Sequence, residues 1–286
     1  MMKDLHGKVA VITGAASGMG RGLAVKLSQA GCVVALSDVN EDGLEETAAW
    51  VKKQGGSVST HTLDVSNKEA VFDFAAEVAD LHNQVDILIN NAGVIMVSPL
   101  KELSVEDFEW IMNINLWGVI YGSMAFLPHL KQRPEANIVN ISSTYGLIGI
   151  PLHIPYCTSK FAVRGFSESL KLELFDTSVS VSCVYPNLIR TNIGPSGRYK
   201  GMEKYLDTEE LLHRFYQLFD TMDPDACAQV IIDKAIKKNK ARVLVGKQLG
   251  AIELLSRVMA GSYHKLIIHQ MAYRLFGREA FHKMTR

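Results

Sequence analysis

Tyr156 and Lys160 stand four residues apart in the string Tyr156-Cys157-Thr158-Ser159-Lys160. On a helix this spacing puts both side chains on one face, about a turn apart. A free phenol titrates near ~10 and is a poor base at neutral pH. An ammonium close by favours the phenolate. Such a phenol can take the proton of an alcohol, or return one to a carbonyl oxygen. Ser143 closes Ile141-Ser142-Ser143 upstream of the pair, where its hydroxyl would hold the same oxygen as charge develops on it. The same residues also suit plainer roles: a solvated Tyr–Lys pair, a strand-end cap at Ser143, and a helix-interior Asn115 bonded to backbone. Tyr145 competes for the acid/base role, but no lysine lies four residues beyond it. Cys157 is a helical neighbour of Tyr156 that points elsewhere, and is read as packing.

Proton exchange alone does not oxidise an alcohol; the hydride needs an acceptor. Thr13-Gly14-Ala15-Ala16-Ser17-Gly18-Met19-Gly20 follows an apolar strand and opens a helical pattern. Glycines there let the backbone turn sharply and approach a pyrophosphate, while a helix N-terminus offers free N–H groups. An ordinary strand–helix turn is the competing reading. Asp38 ends the second strand, 18 residues after Gly20. That is near the ~20-residue spacing of an acid that bonds the adenosine ribose. Its carboxylate would repel a 2′-phosphate, and no basic residue follows at once. The pattern therefore favours NAD over NADP. A carboxylate merely capping the next turn is the alternative.

These groups need a scaffold. Apolar, β-branched runs at 8–13, 32–37, 58–63, 86–90, 137–142, 179–184 and 242–245 alternate with 3.6-period stretches at 20–30, 41–54 and 68–82. Continuous apolar strands imply burial on both faces, and this alternation implies an α/β fold: a doubly wound parallel sheet of seven strands with helices on both faces. Asp223-Pro224 reads as a helix start. No repeat or Pro/Gly/Ser-rich linker appears, so residues 1–286 read as a single domain. It carries an insert at 191–222 and a helical C-terminal extension at 248–286.

The strings Asn90-Asn91-Ala92-Gly93, Asn113-Ile114-Asn115-Leu116-Trp117-Gly118, Ile141-Ser142-Ser143, Tyr156 through Lys160, and Pro186 through Thr191 follow the glycine turn in order. Together they resemble the short-chain dehydrogenase/reductase family, in its common single-domain, Rossmann-like branch, closely over residues 7–191. The resemblance implies that Gly14, Gly18 and Gly20 form the dinucleotide turn, with Ser17 and Met19 beside the phosphates. It gives Asp38 the ribose, Asp64 and Val65 the flank of the adenine, and Asn91, Ala92 and Gly93 the adenosine side. Pro186 and Thr191 would close over the nicotinamide. Asn115, Ser143, Tyr156 and Lys160 match a catalytic tetrad. In it Lys160 also reaches the cofactor's ribose, and Asn115 anchors a water on a proton path. Asn187 stands where the family usually has glycine, and Asn tolerates a left-handed backbone. The resemblance also implies a homo-oligomer, dimer or tetramer, joined through the helices bearing Asn115 and Tyr156. The same tetrad could serve an epimerase or a dehalogenase-like reaction. A catalytically silent dinucleotide sensor or scaffold is a further alternative, which the intact tetrad argues against.

Segments placed near a substrate are apolar: Val94, Ile95, Met96, Leu147, Ile148, Leu188, Ile189, Tyr205, Leu206, Leu211 and Leu212. They predict a lipophilic alcohol or ketone (steroid, retinoid, fatty or aromatic), with His153 either lining the pocket or solvated. Arg190 and Arg198 are near but form no anion-binding cluster. Of the 286 residues, 48% are apolar and 21% charged, with zero formal net charge, which gives no reason to expect nucleic acid. The charge is uneven: residues 229–286 hold 12 Lys+Arg against 3 Asp+Glu. The stretch 251–276 interleaves apolar residues with Arg257, Lys265 and Arg274. It could lie on an anionic membrane as a peripheral adaptor, or cover a pocket with its charges solvated. Four dispersed cysteines (Cys32, Cys157, Cys183 and Cys227) suggest neither a metal site nor a disulfide scaffold. With no apolar run of membrane-spanning length and no secretory core, a cytoplasmic location is expected.

Overall fold

The computed structural model describes residues 2–201, 207–218, 221–260, 262 and 269–285. In chain order its elements are β1 (Val9–Thr13), α1 (Gly18–Gln29), β2 (Val33–Asp38), α2 (Glu41–Lys53), β3 (Val58–Thr62), α3 (Lys68–His82), β4 (Ile87–Asn90), β5 (Met96–Val97), α4 (Val105–Met112), α5 (Gly118–Leu130), β6 (Ala136–Ile141), α6 (Ile154–Glu173), β7 (Val179–Pro186), β8 (Arg198–Tyr199), α7 (Thr208–Leu218), α8 (Pro224–Ile231), β9 (Arg242–Val245), α9 (Leu249–Val258), α10 (His269–Phe276) and α11 (Arg278–Thr285).

Seven strands form one sheet in the order β3-β2-β1-β4-β6-β7-β9, every neighbouring pair parallel. Successive residues of a strand face opposite sides. Ala10, Ile12, Ile87 and Ile89 therefore pack with Leu23, Leu27, Leu44 and Ile231 of α1, α2 and α8. Val11 and Leu88 pack with Phe74, Val78, Phe126 and Leu130 of α3 and α5. The chain winds outward from β1 through β2 and β3, then returns to β4 on the other side of β1. At such a reversal a crevice opens beyond the carboxyl ends of the strands.

Helix starts follow local chemistry. Asn40 and Asn67 cap α2 and α3, Ser104 and Asp107 form a capping box on α4, and Asp223 caps α8 ahead of Pro224. At α1, Ser17 makes no side-chain cap bond and the first turn holds no acid. Its free N–H groups face the crevice uncompensated.

Residues 105–130 run as one helix, through a wide turn at Asn113–Trp117, and are long and apolar enough to span a bilayer. Val119, Phe126 and Leu130 are buried, as in a core helix. The sequence reading did not anticipate the parallel pair β5–β8, which ties the insert to the loop after β4. Of two helical patterns expected in the insert, α7 is present; Tyr205 and Leu206 lie outside the described residues, as do Lys265 and the side chain of Leu212. In the extension, Ala272, Leu275, Phe276, Phe281 and Met284 pack against Val97, Leu152 and Leu211. The apolar face of α10 and α11 is thus spent inside the molecule.

Candidate active site

The turn after β1 is tight enough to explain its glycines. Gly14 and Gly18 have φ of +67° and +52°. A Cβ on Gly20 would sit 2.0 Å from the Gly14 carbonyl oxygen, and one on Gly18 would sit 2.9 Å from Thr191 Cγ2. The loop after β4 braces this turn: Asn91 Nδ2 donates to the Thr13 and Gly14 carbonyls at 2.9 and 3.0 Å, and Ala92 N–H to Thr13 Oγ1 at 3.0 Å. At the end of β2, Asp38 accepts from Ala16 N–H at 2.9 Å and from Asn40 N–H at 3.0 Å.

Together these segments line a cleft of about 940 Å³. Its walls include Gly14, Ser17, Gly18, Met19, Gly20, Asp38, Asp64, Val65, Asn91, Ala92, Gly93 and Thr191. Val39, Ile114, Asn192, Ile193 and Ser196 line it too, and sequence reasoning did not single them out. An uncapped helix end, a glycine turn without room for side chains and a carboxylate at the next strand fit a dinucleotide.

β6 and α6 bring Ser143, Tyr156 and Lys160 together. Ser142 Oγ donates to the Lys160 carbonyl at 2.9 Å, and Asn140 Nδ2 to Ser167 Oγ at 3.0 Å, docking the helix on the strand end. Ser143, Tyr156 and Lys160 are all buried. Lys160 Nζ donates to the Ile141 carbonyl at 3.0 Å and lies 5.6 Å from the centre of the Tyr156 ring. The sequence reading expected the ammonium to make the phenol acidic. In the chain itself burial wins: it pushes Tyr156 up to about 12, with the Ser143 hydroxyl opposing it only in part. Burial also pulls Lys160 down to about 8.

Asn115 is fully buried in the wide turn between α4 and α5, a feature found often at functional sites. Its Oδ1 accepts from Val94 N–H at 2.8 Å; its Nδ2 donates to the Val94 carbonyl at 2.9 Å and to Ser159 Oγ at 3.1 Å. The side chain fixes the loop after β4 against α6, and only a lone pair on Oδ1 is left to receive a water.

Ser143 and Tyr156 also face a second cavity of about 850 Å³. Ile95, Val97, Leu188, Ile189, Ile193, Leu211, Leu275 and Phe276 give it apolar walls, with His153 and Tyr145 among them. Thr191 and Ile193 belong to both cavities, so the two adjoin there. His153 is buried, not solvated. Leu147 does not line the cavity: beyond the tight turn at Thr144–Gly146 it packs on Cys183, Tyr185 and Leu244, and Thr144 and Tyr145 take its place. Val94 lines the dinucleotide cleft instead. Pro186 lines neither; its carbonyl accepts from Thr144 Oγ1 at 3.0 Å. Asn187 is not left-handed, so no glycine is required there, and its Oδ1 accepts from Thr144 Oγ1 at 3.3 Å. Arg198 stacks 3.6 Å from the centre of the Trp110 ring. The cavity walls formed by α10 had no local signal beyond amphipathic spacing.

A family model for short chain dehydrogenases matches residues 8–199. SadH of Mycobacterium tuberculosis, named as an oxidoreductase, is 38% identical over 268 residues, spanning 93% of this chain and 96% of that protein. Human estradiol 17-beta-dehydrogenase 11 is 34% identical over 217 residues, 74% of this chain and 71% of that protein. The structure of a short-chain dehydrogenase/reductase from Burkholderia phymatum in complex with NAD aligns with a TM-score of 0.81 at 29% identity, covering 90% of this chain and 95% of that one. The chain belongs to the short-chain dehydrogenase/reductase family. It is an oxidoreductase, and the family works with nicotinamide cofactors.

Proposed function

We propose that this oxidoreductase moves a hydride between NAD and a secondary alcohol or ketone on a lipophilic skeleton. The observation that carries the reading is the position of Ser143 and Tyr156 in the wall of an apolar cavity that shares Thr191 and Ile193 with the glycine-turn cleft. The cofactor supplies or accepts the hydride. Ser143 holds the substrate oxygen, and Tyr156 gives or takes its proton. Lys160, clamped by the Ile141 carbonyl, keeps a cation beside the phenol and would bind the ribose of a bound cofactor. Because burial alone leaves the phenol protonated, the isolated chain is set to donate a proton to a carbonyl. Alcohol oxidation needs further positive charge, which an oxidised nicotinamide provides. Asp38 in the cleft wall supports NAD over NADP, since its carboxylate would repel a 2′-phosphate bound there. The apolar walls, and the name of the estradiol dehydrogenase relative, support a lipophilic substrate.

The test is absorbance at the reduced nicotinamide band with a panel of ketones and secondary alcohols. Apolar members should turn over best, and small polyols outperforming them would reject the substrate class. Tyr156→Phe should lower kcat by about 10³-fold while NADH binding is kept. Full activity in that variant would end the mechanism.

A further inference from the structure

Two polar groups in the wall of the apolar cavity have no protein partner among the described residues: the Tyr145 hydroxyl and His153 Nε2. Both residues line the cavity. His153 is 8% exposed, which makes an unpaired ring nitrogen there costly unless something meets it. We propose that Tyr145 and His153 form a polar subsite for a second oxygen function of the substrate. The preferred ligand is then an apolar ketone or secondary alcohol carrying a hydroxyl or carbonyl beside the reacting carbon. The inference rests on the hydride-transfer reading above and narrows its substrate class.

Geometry fixes what each group offers. His153 Nδ1 lies 2.8 Å from the Pro151 carbonyl oxygen. A carbonyl only accepts, so Nδ1 carries the proton and Nε2 is left as an acceptor. Burial pulls this imidazole down to about 4, so it stays neutral at working pH. Burial likewise pushes the Tyr145 phenol well above its ordinary range, so it remains a neutral donor. One donor and one acceptor together match a hydroxyl, which is both; a carbonyl would use the tyrosine alone.

The three rings are contiguous. Tyr145 lies edge-on to His153 at 5.1 Å and edge-on to Tyr156 at 5.6 Å between centres. Its backbone N–H donates to Ser143 Oγ at 3.2 Å, so it is fixed to the residue that holds the reacting oxygen. Leu152, just before His153, has φ of +65°, a strained conformation for leucine, and its carbonyl accepts from Ser98 N–H at 2.8 Å. That kink, anchored to the loop after β5, turns the chain into α6 and sets His153 at the cavity wall.

The experiment compares 2-hydroxyacetophenone with acetophenone, two ketones that differ by one hydroxyl next to the carbonyl. It reads kcat/KM with NADH, and separately Kd by calorimetry on the NADH-bound protein. Wild type should prefer the hydroxyketone by about tenfold or more in both measurements, because a ligand lacking the hydroxyl leaves the subsite unpaired. Tyr145→Phe, which removes a single oxygen, should shrink that ratio about tenfold. His153→Leu should do the same, and His153→Gln, which keeps an acceptor, should restore part of it. No preference in wild type, or an unchanged ratio in Tyr145→Phe, overturns the subsite. If neither ketone turns over, yet the hydroxyketone binds more tightly and Tyr145→Phe abolishes the difference, the hydride-transfer reading fails and the subsite stands.

Discussion

The dinucleotide cleft and the apolar cavity share Thr191 and Ile193 but are built on different principles. The cleft is made of backbone at the carboxyl ends of β1, β2 and β4, each held in register by neighbouring strands. Its fit is set by what cannot be there: side chains on Gly14, Gly18 and Gly20. The cavity is made of side chains from segments far apart in sequence, including the insert after β7 and α10. Those segments are held by apolar packing and by the two-residue strands β5 and β8. A site formed by backbone tolerates almost no change. A site formed by side chains can be re-cut residue by residue, as one scaffold must be if it is to serve different ligands.

Gly20→Ala should break this contrast most sharply. Its methyl would meet the Gly14 carbonyl at 2.0 Å, and both atoms belong to the chain's own turn, so the turn itself must open. The expected result is a loss of NADH affinity of at least about 100-fold, with roughly 2–3 kcal/mol of stability, read by fluorescence titration and thermal unfolding. Wild-type affinity in this variant would mean that the turn does not hold the cofactor.

The next effect belongs to the cavity and follows from pH. His153 is pulled from an ordinary 6.5 to about 4 by burial. A histidine whose folded pKa is depressed binds fewer protons folded than unfolded between those values. Stability is therefore full above about 6.5 and falls as the pH drops towards 4. The shift corresponds to about 3–4 kcal/mol at most, and His153→Gln should lack that component. Urea unfolding of both proteins at pH 7 and pH 4.5 measures it; parallel losses in the two would refute the assignment.

The same contrast explains what could be read from the chain. The strands of the main sheet were legible because continuous apolar runs have one good home, a sheet covered on both faces: residues 86–90 became Ile87–Asn90, and 242–245 became Arg242–Val245. The glycine turn and Asp38 were legible because their spacing along the chain is itself the geometry. β5 and β8 were not: two residues carry no periodicity, and their pairing depends on contacts such as Arg198 over Trp110 that no local window contains. Leu147 was misplaced for a related reason, since a tight turn decides which way its side chain points. The acidity that Lys160 lends Tyr156 is outweighed in the chain alone by a quantity the sequence does not hold, the depth of burial.

A crossed pair of substitutions tests whether the two regions are separable. Asp38→Arg removes the carboxylate at the end of β2 and supplies a cation for a 2′-phosphate; it should move preference from NAD towards NADP by about tenfold, near 1.4 kcal/mol. KM for the best ketone should stay as in wild type, because Asp38 lies in the wall of the cleft alone. Phe276→Leu trims a wall of the cavity that the cleft does not share. It should raise KM for that ketone by about tenfold and leave cofactor preference unmoved. A cofactor shift in Phe276→Leu, or a ketone KM shift in Asp38→Arg, would show that Thr191 and Ile193 couple the two sites. Substrate and cofactor would then have to be treated as one binding event.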